Sequence, residues 1–201
     1  MDADLALAAR LAADLDRAFP TLVDEHAARL FTIAYRCLGV ASDAEEVAQD
    51  ALVRAHEALV AYNPDRVRAL RLRPWLATIT VNLARNRRRR VADRQPPSRL
   101  DPLVATGREP RAAVGSLPPA VAERREERQG LAAALLNLPP AMREAVVLRH
   151  VDGLSVAETA AVLGRPEGTI KAQVHRGLAN LRNQLLLKSP DHPDPHEEKT
   201  A

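Results

Sequence analysis

Ser155-Val-Ala-Glu-Thr-Ala-Ala-Val-Leu-Gly-Arg-Pro-Glu-Gly-Thr-Ile-Lys-Ala-Gln-Val-His-Arg176 decides how this chain reads. Ser155 and Glu158 have the spacing of a capping box, in which hydroxyl and carboxylate each satisfy a free amide at a helix start. That helix ends at Leu163-Gly164. A second starts near Pro166, a favourable first-turn residue. Helix, glycine turn, helix is the spacing of a helix-turn-helix. The short turn forces the second helix across the first. Its solvent face is then Glu167, Thr169, Lys171, Ala172, Gln173, His175 and Arg176. Such a narrow, polar face can enter a major groove, where Lys and Arg read guanine edges and Gln pairs with adenine. A plain helical hairpin has the same pattern.

The neighbouring segments are helical too. Leu131, Leu135 and Leu138 form one apolar stripe, ended by Pro139-Pro140. Ala145, Val146, Leu148 and Val151 form the next, stopped at Asp152-Gly153. Ile170, Val174, Leu178, Leu181 and Leu185 continue the last helix at steps of three and four. Upstream, residues 93–127 contain six prolines and no aromatic, and read as a flexible linker. Residues 189–201 read as a frayed tail. The other folded unit spans 19–92. There Leu22, His26, Leu30, Ile33, Ala34 and Leu38 mark a helix that Gly39 stops. Ser42 or Asp43 caps the next, whose apolar face is Val47, Ala51, Leu52, Ala55 and Leu59. Glu46, Gln49, Asp50, Arg54 and Glu57 lie on its other faces. Tyr62–Asp65 is a turn, and a third helix runs from Trp75 to Arg87–Arg90, with Thr80 inward.

The 201 residues are 46% hydrophobic and 2% aromatic. Alanine and leucine dominate, which favours helices over sheets and excludes wholesale disorder. The fold class is therefore all-α, with two small helical domains. Cys37, the one cysteine, cannot form an internal disulfide, so a disulfide-stapled secreted scaffold is excluded. No run of about 18 apolar residues exists, so no membrane insertion is expected. Met1–Asp16 is acidic and amphipathic and lacks the pattern of a signal peptide. The expected address is a reducing cytoplasm.

A net charge of +3 conceals a strong asymmetry. Residues 1–65 hold 12 acids and 5 bases, whereas residues 66–90 hold nine arginines and no acid. A concentrated basic block points to a polyanion met at one place; a solvated helix face is the blander reading. Within it, helical spacing puts Asn82, Arg85, Asn86 and Arg89 on one face. Amides and guanidiniums there can pair with exposed bases and hold phosphates. Trp75 offers a stacking plane or packs in the core beside Leu76 and Ile79.

Three stretches, in order, resemble the sigma-70 family of RNA polymerase sigma factors, in its small extracytoplasmic-function (ECF) group. Asp43–Asp50 resembles the family's core-polymerase-binding helix. Pro74–Asn86 resembles its promoter-melting and minus-10 segment. Leu138–Ser155, running on to Gly168–Arg176, resembles its minus-35 domain. The resemblance covers about 19–188, so 19–92 corresponds to sigma region 2 and 128–188 to sigma region 4. It implies that the chain binds core RNA polymerase, directs it to promoter DNA and helps open the duplex. Glu46, Gln49 and Asp50 would meet polymerase. Asn82, Arg85, Asn86 and Arg89, beside Trp75, would face the minus-10 element. The loop from Asn63 to Leu72 would hold an extruded base. Thr169, Lys171, Gln173, His175 and Arg176 would face the minus-35 element, with Arg149 on a phosphate. The linker would thread through polymerase. An anti-sigma protein is an expected partner. The loop Arg66–Arg73 is more basic than the family pattern and lacks its aromatic near Leu72. Residues 1–18, with Leu5, Ala8, Leu11, Ala12 and Leu15 at helical spacing, form an extension outside the resemblance.

Two rivals remain at this level: a stand-alone helix-turn-helix repressor or activator, and an adaptor sequestered by a partner. No phosphate-cradling glycine loop, zinc-ligand set or nucleophile elbow occurs, so no enzyme activity, cofactor or metal is expected. His192 and His196 are a weak metal candidate. Cys37 lies on an apolar helix and is expected to be buried and inert.

Overall fold

The computed structural model describes residues 3–94 and 130–186, and every regular element among them is helical. In chain order these are α1 (Ala3–Ala13), α2 (Leu15–Leu38), α3 (Ala41–Ala61), α4 (Pro64–Arg68) and α5 (Leu72–Arg94). Then follow α6 (130–136), α7 (Pro140–Val146) with a π-helical turn over Val147–Val151, α8 (Val156–Leu163) and α9 (Glu167–Leu186). The expected linker, apart from the end of α5, lies outside the described residues, as do the tail and His192 and His196.

In the first half, α2, α3 and α5 pack on one another. α2 contributes Leu22, His26, Leu30, Ile33, Ala34 and Cys37 to the core. α3 buries an alanine-rich face, Ala44, Val47, Ala48, Ala51, Ala55 and Leu59, whose small side chains let neighbouring helices approach closely. Leu72, Leu76, Ala77, Thr80 and Val81 of α5 are buried against them. Thr80 is inward as expected, its hydroxyl donating to the Leu76 carbonyl at 2.9 Å.

Several local expectations are corrected. Gly39 does end α2, in the left-handed region at φ 80°. The chain re-enters a helix at once, so Val40 is the N-cap of α3, without a side-chain bond. Ser42 and Asp43 therefore sit inside its first turn, where a carboxylate still favours the helix dipole. The Tyr62–Asp65 turn becomes an N-cap: Asn63 Oδ1 accepts from the Arg66 N–H at 2.8 Å, and Pro64 opens α4. α5 starts at Leu72, before Trp75, because Pro74 is tolerated in a first turn, whose amides need no helical partner. It runs on to Arg94. The N-terminal segment packs on the first half. Leu7, Ala8 and Leu11 of α1 are buried, and α1 packs on α2 and α4. The expected boundary at residue 19 falls inside α2.

In the second half, Leu135 and Leu138 are buried while Leu131 is 40% exposed. The π-helical turn closes with the Asp152 N–H donating to the Val147 carbonyl at 2.9 Å. Its extra residue per turn rotates Val151 outward, against the apolar-stripe expectation. The capping box forms: Glu158 N–H donates to Ser155 Oγ at 3.1 Å, and Ser155 N–H donates to Glu158 Oε2 at 2.8 Å. Gly164, at φ 64°, ends α8. On α9, Ile170, Gly177 and Leu181 face inward. A Cβ on Gly177 would lie 2.7 Å from Val146 Cγ2, so glycine permits the close approach of α9 to α7. Leu178 and Leu185, expected inward, are consequently turned out. The halves touch along α5 against α8, and along α2 against α7 and the π-helical turn.

Ser155, through its hydroxyl and its amide, holds the Glu158 carboxyl below the ordinary glutamate range. A depressed folded-state value means that this stability is present above the unfolded value. It is lost as pH falls through the folded one. Glu158→Gln is expected to flatten the acid limb of a urea-stability curve below the ordinary value of 4.5. A curve that falls as steeply as that of the parent protein would contradict this role.

Candidate nucleic-acid interface

The helix-turn-helix is formed by α8 and α9. Thr169, Lys171, His175 and Arg176 are exposed across the face of α9 that lies opposite its buried residues. Gln173 is half-buried, its Oε1 accepting from Arg165 Nη1 at 3.1 Å. Arg165 sits in the turn and also donates to the Ala141 carbonyl at 3.2 Å and to Glu144 Oε2 at 3.2 Å. It thereby ties the turn to α7. Arg149 does not point freely at solvent: its guanidinium donates to the Leu154 carbonyl and stiffens the approach to α8.

On α5, Asn82, Asn86 and Arg89 are exposed and Arg85 is half-buried. With Arg88 they line one open cleft of about 530 Å³. Arg89 donates to Asn86 Oδ1. Arg85 is turned toward the second half of the chain. Its Nε and Nη2 fork onto the two oxygens of Glu144 at 3.0 and 2.7 Å. Hydrogen bonding to that carboxylate raises the Arg85 pKa. Arg88 Nη2 lies 3.6 Å from the same carboxylate. Of the two readings of Trp75, the structure bears on the packing one. It packs on the core, and its ring sits 6.4 Å from the Tyr62 ring at 52°. It also lines a second open cleft with Tyr62, Ile79, Asn82 and Asn86. Arg66 covers the Tyr62 ring at 3.7 Å, a cation–π contact at the mouth of the 63–72 loop.

On α3, Glu46, Gln49 and Asp50 are all exposed. Glu46 pairs with Arg87 at 2.7 Å, and Arg87 also reaches Asp43 at 2.6 Å. These bonds join the start of α3 to α5. Val53 and Val60, 57% and 64% exposed, continue the acidic stripe at helical spacing. They were legible as apolar residues off the buried Val47–Ala51–Ala55 face.

Between the halves lies a set of contacts with no sequence signal, because the partners are far apart in the chain. Arg29 forks onto the Asp152 carboxylate at 2.5 and 2.6 Å. Arg73 Nη2 donates to the Asp152 carbonyl at 2.6 Å. Arg71 pairs with Glu158 at 2.8 Å. Arg143 is buried and donates to the Cys37 carbonyl at 2.7 Å, and burial pushes its pKa down. Burial pushes the Cys37 thiol up to about 12, so the inert buried state expected for it holds. Among the described residues no cluster of three or more His, Cys, Asp or Glu could hold a metal, and no helix is long and apolar enough to cross a membrane.

The sigma-70 region 2 family model matches residues 22–94, and the sigma-70 region 4 model matches residues 128–181. The chain is 32% identical over 178 residues to the ECF RNA polymerase sigma factor SigW of Bacillus subtilis (strain 168), covering 84% of this chain and 89% of that one. It is 28% identical over 184 residues to the ECF RNA polymerase sigma-E factor of Escherichia coli (strain K12), covering 90% and 94%. Among solved structures, CnrH in complex with the cytosolic domain of CnrY is similar at 30% identity and a TM-score of 0.64, over 94% of this chain and 100% of that one. The sigma factor RpoE of Bartonella quintana shares the fold, with a TM-score of 0.60 at 24% identity over 85% and 98%. Two family models in order, with a relative 32% identical over most of both chains, leave one conclusion: it belongs to the ECF group of sigma-70 RNA polymerase sigma factors.

Proposed function

We propose that this sigma factor divides its work between the two halves as its exposed groups are divided. The stripe Glu46, Gln49 and Asp50 on α3 docks core RNA polymerase. Asn82, Arg85, Asn86 and Arg89, with Trp75 as a stacking plane, take the minus-10 element as it opens. Thr169, Lys171, Gln173, His175 and Arg176 read the minus-35 element, and Arg149 braces the domain beside a phosphate. The chain catalyses no reaction itself; it lends promoter choice to polymerase in the cytoplasm. An anti-sigma protein is its proposed regulator.

One observation carries this reading. Two chemically different polar faces, an amide–arginine ladder on α5 and a Lys–His–Arg cluster on α9, occupy separate halves, and an acidic stripe occupies a third surface. A stand-alone repressor needs only the second of these. Base-edge contacts from α9 specify sequence, while phosphate contacts from the arginines position the duplex.

Run-off transcription with bacterial core polymerase on a library of promoter fragments tests the reading. Discrete start sites that require the protein are expected; tight binding to duplex DNA without transcripts would favour the repressor. Asp50→Arg is expected to abolish polymerase binding with the helical circular-dichroism spectrum intact, and unchanged affinity would reject the α3 contact. Arg176→Ala is expected to weaken use of those promoters by about 1–3 kcal/mol if the side chain makes a bidentate base contact. Equal output from parent and variant would remove Arg176 from the interface.

A further inference from the structure

Gln173 comes to the DNA-facing surface of α9 with one end of its amide already taken. Its Oε1 accepts from Arg165 Nη1 at 3.1 Å. Arginine carries donors only, so the amide atom that faces it is the oxygen by chemistry alone. Arg165 is itself held at both terminal nitrogens. Nη1 also donates to the Ala141 carbonyl at 3.2 Å, and Nη2 donates to Glu144 Oε2 at 3.2 Å. Its side chain is 25% exposed, and that of Glu144 3%. A planar guanidinium so bound has little freedom, and neither has the oxygen that it grips. Among the described residues nothing accepts from Gln173 Nε2, so both amide hydrogens stay available. Thr169 and Arg176 lie one helical turn to either side of Gln173, and both are exposed. The open end of the amide therefore borders the surface assigned to DNA.

We infer that Arg165, in the turn, is a positioning residue that sets base specificity: by holding Gln173 Oε1 it makes this side chain a donor alone, which selects guanine rather than adenine. This rests on the proposed reading of the minus-35 element by α9. A free glutamine pairs with adenine through both ends of its amide, accepting from N6 and donating to N7. Adenine thus needs the oxygen, and here the oxygen lies against a guanidinium. An N6 amino group brought to it would set its hydrogens against those of Arg165. Guanine makes no such demand. Its N7 and O6 are both acceptors and suit the two hydrogens of one Nε2. Thymine offers one acceptor beside a methyl group and ranks lower; cytosine offers only a donor and is rejected. A residue of the turn thereby decides which base a residue of the reading helix takes.

The test uses the full chain with bacterial core polymerase on a promoter recovered from the run-off library. Its minus-35 base pairs are randomised, and a barcode in the transcribed part identifies each template. Gln173→Ala is expected to flatten the preference at one position and leave the others as in the parent. At that position the parent is expected to favour guanine over adenine by about tenfold. Adenine favoured there would overturn the proposal. Arg165→Met keeps an unbranched stem and removes every donor. It is expected to free the oxygen and raise adenine to at least the level of guanine, at that position alone. A merely structural role predicts an equal loss of output for every base, and that result would overturn the positioning. Gln173→Glu keeps the bond to Arg165 and so does not depend on how the protein tolerates Arg165→Met. With an acceptor in place of the donor, cytosine is expected to replace guanine, and guanine retained would overturn the proposal. The two levels separate cleanly. A parent that transcribes yet ranks no base at any minus-35 position overturns the α9 assignment and the role of Arg165 together. Ranked positions that are all indifferent to Gln173→Ala overturn the role of Arg165 and Gln173 alone.

Discussion

The Glu144 carboxylate, 3% exposed beneath three guanidiniums, is the constraint on which the arrangement depends. An unpaired acid so placed would cost several kcal/mol. Arg85 and Arg88 approach it from α5, and Arg165 from the turn of the helix-turn-helix. The same carboxylate therefore fixes two things. Through Arg165 it holds the turn against α7 and fixes the half-buried Gln173 of α9. Through Arg85 it holds the whole second half against the first. The geometry of the helix-turn-helix and the placement of the basic block are thereby coupled.

A helical scaffold with so few aromatics achieves this by close approach. Alanines on α3 and Gly177 on α9 bring helix axes together, so a modest amount of apolar surface closes each core. α1 adds Leu7, Ala8 and Leu11 beneath the short helix α4. It also braces the start of α5, where Asp4 Oδ2 accepts from the Arg73 N–H at 3.3 Å. The segment that stands outside the family match at the N-terminus is thus part of the platform that presents the basic loop.

Much of this was legible beforehand, for local reasons. The capping box, the stops at Gly39 and Gly164 and the burial of Thr80 follow from chemistry within one helical turn. The exposed stripes of α3 and α9 follow from periodicity. Errors arose where a neighbour decided. Leu178 was expected inward, but Gly177 turns the tighter face of α9 toward α7. Val151 was expected inward, but a π-helical turn rotates it out. The most consequential contacts had no signature at all. Glu144 and Asp152 look like ordinary surface acids, and Arg29 like a solvated helix residue, until pairings 59 and 123 residues apart bring them together. The basic block itself was evident from composition, and so was its appetite for a polyanion. That this chain supplies acids of its own to that block was not.

The bonds that Glu144 and Asp152 take from Arg85 and Arg29 hold the two halves together. The distance between the halves tests this most directly. Spin labels on cysteines introduced at Asp24 of α2 and Arg182 of α9, both exposed, report it by pulsed dipolar spectroscopy, and the native thiol is buried. A single short distance is expected in the parent protein and a longer one in the Glu144→Gln, Asp152→Asn double variant. The same short distance in both proteins would contradict the role given to these bonds.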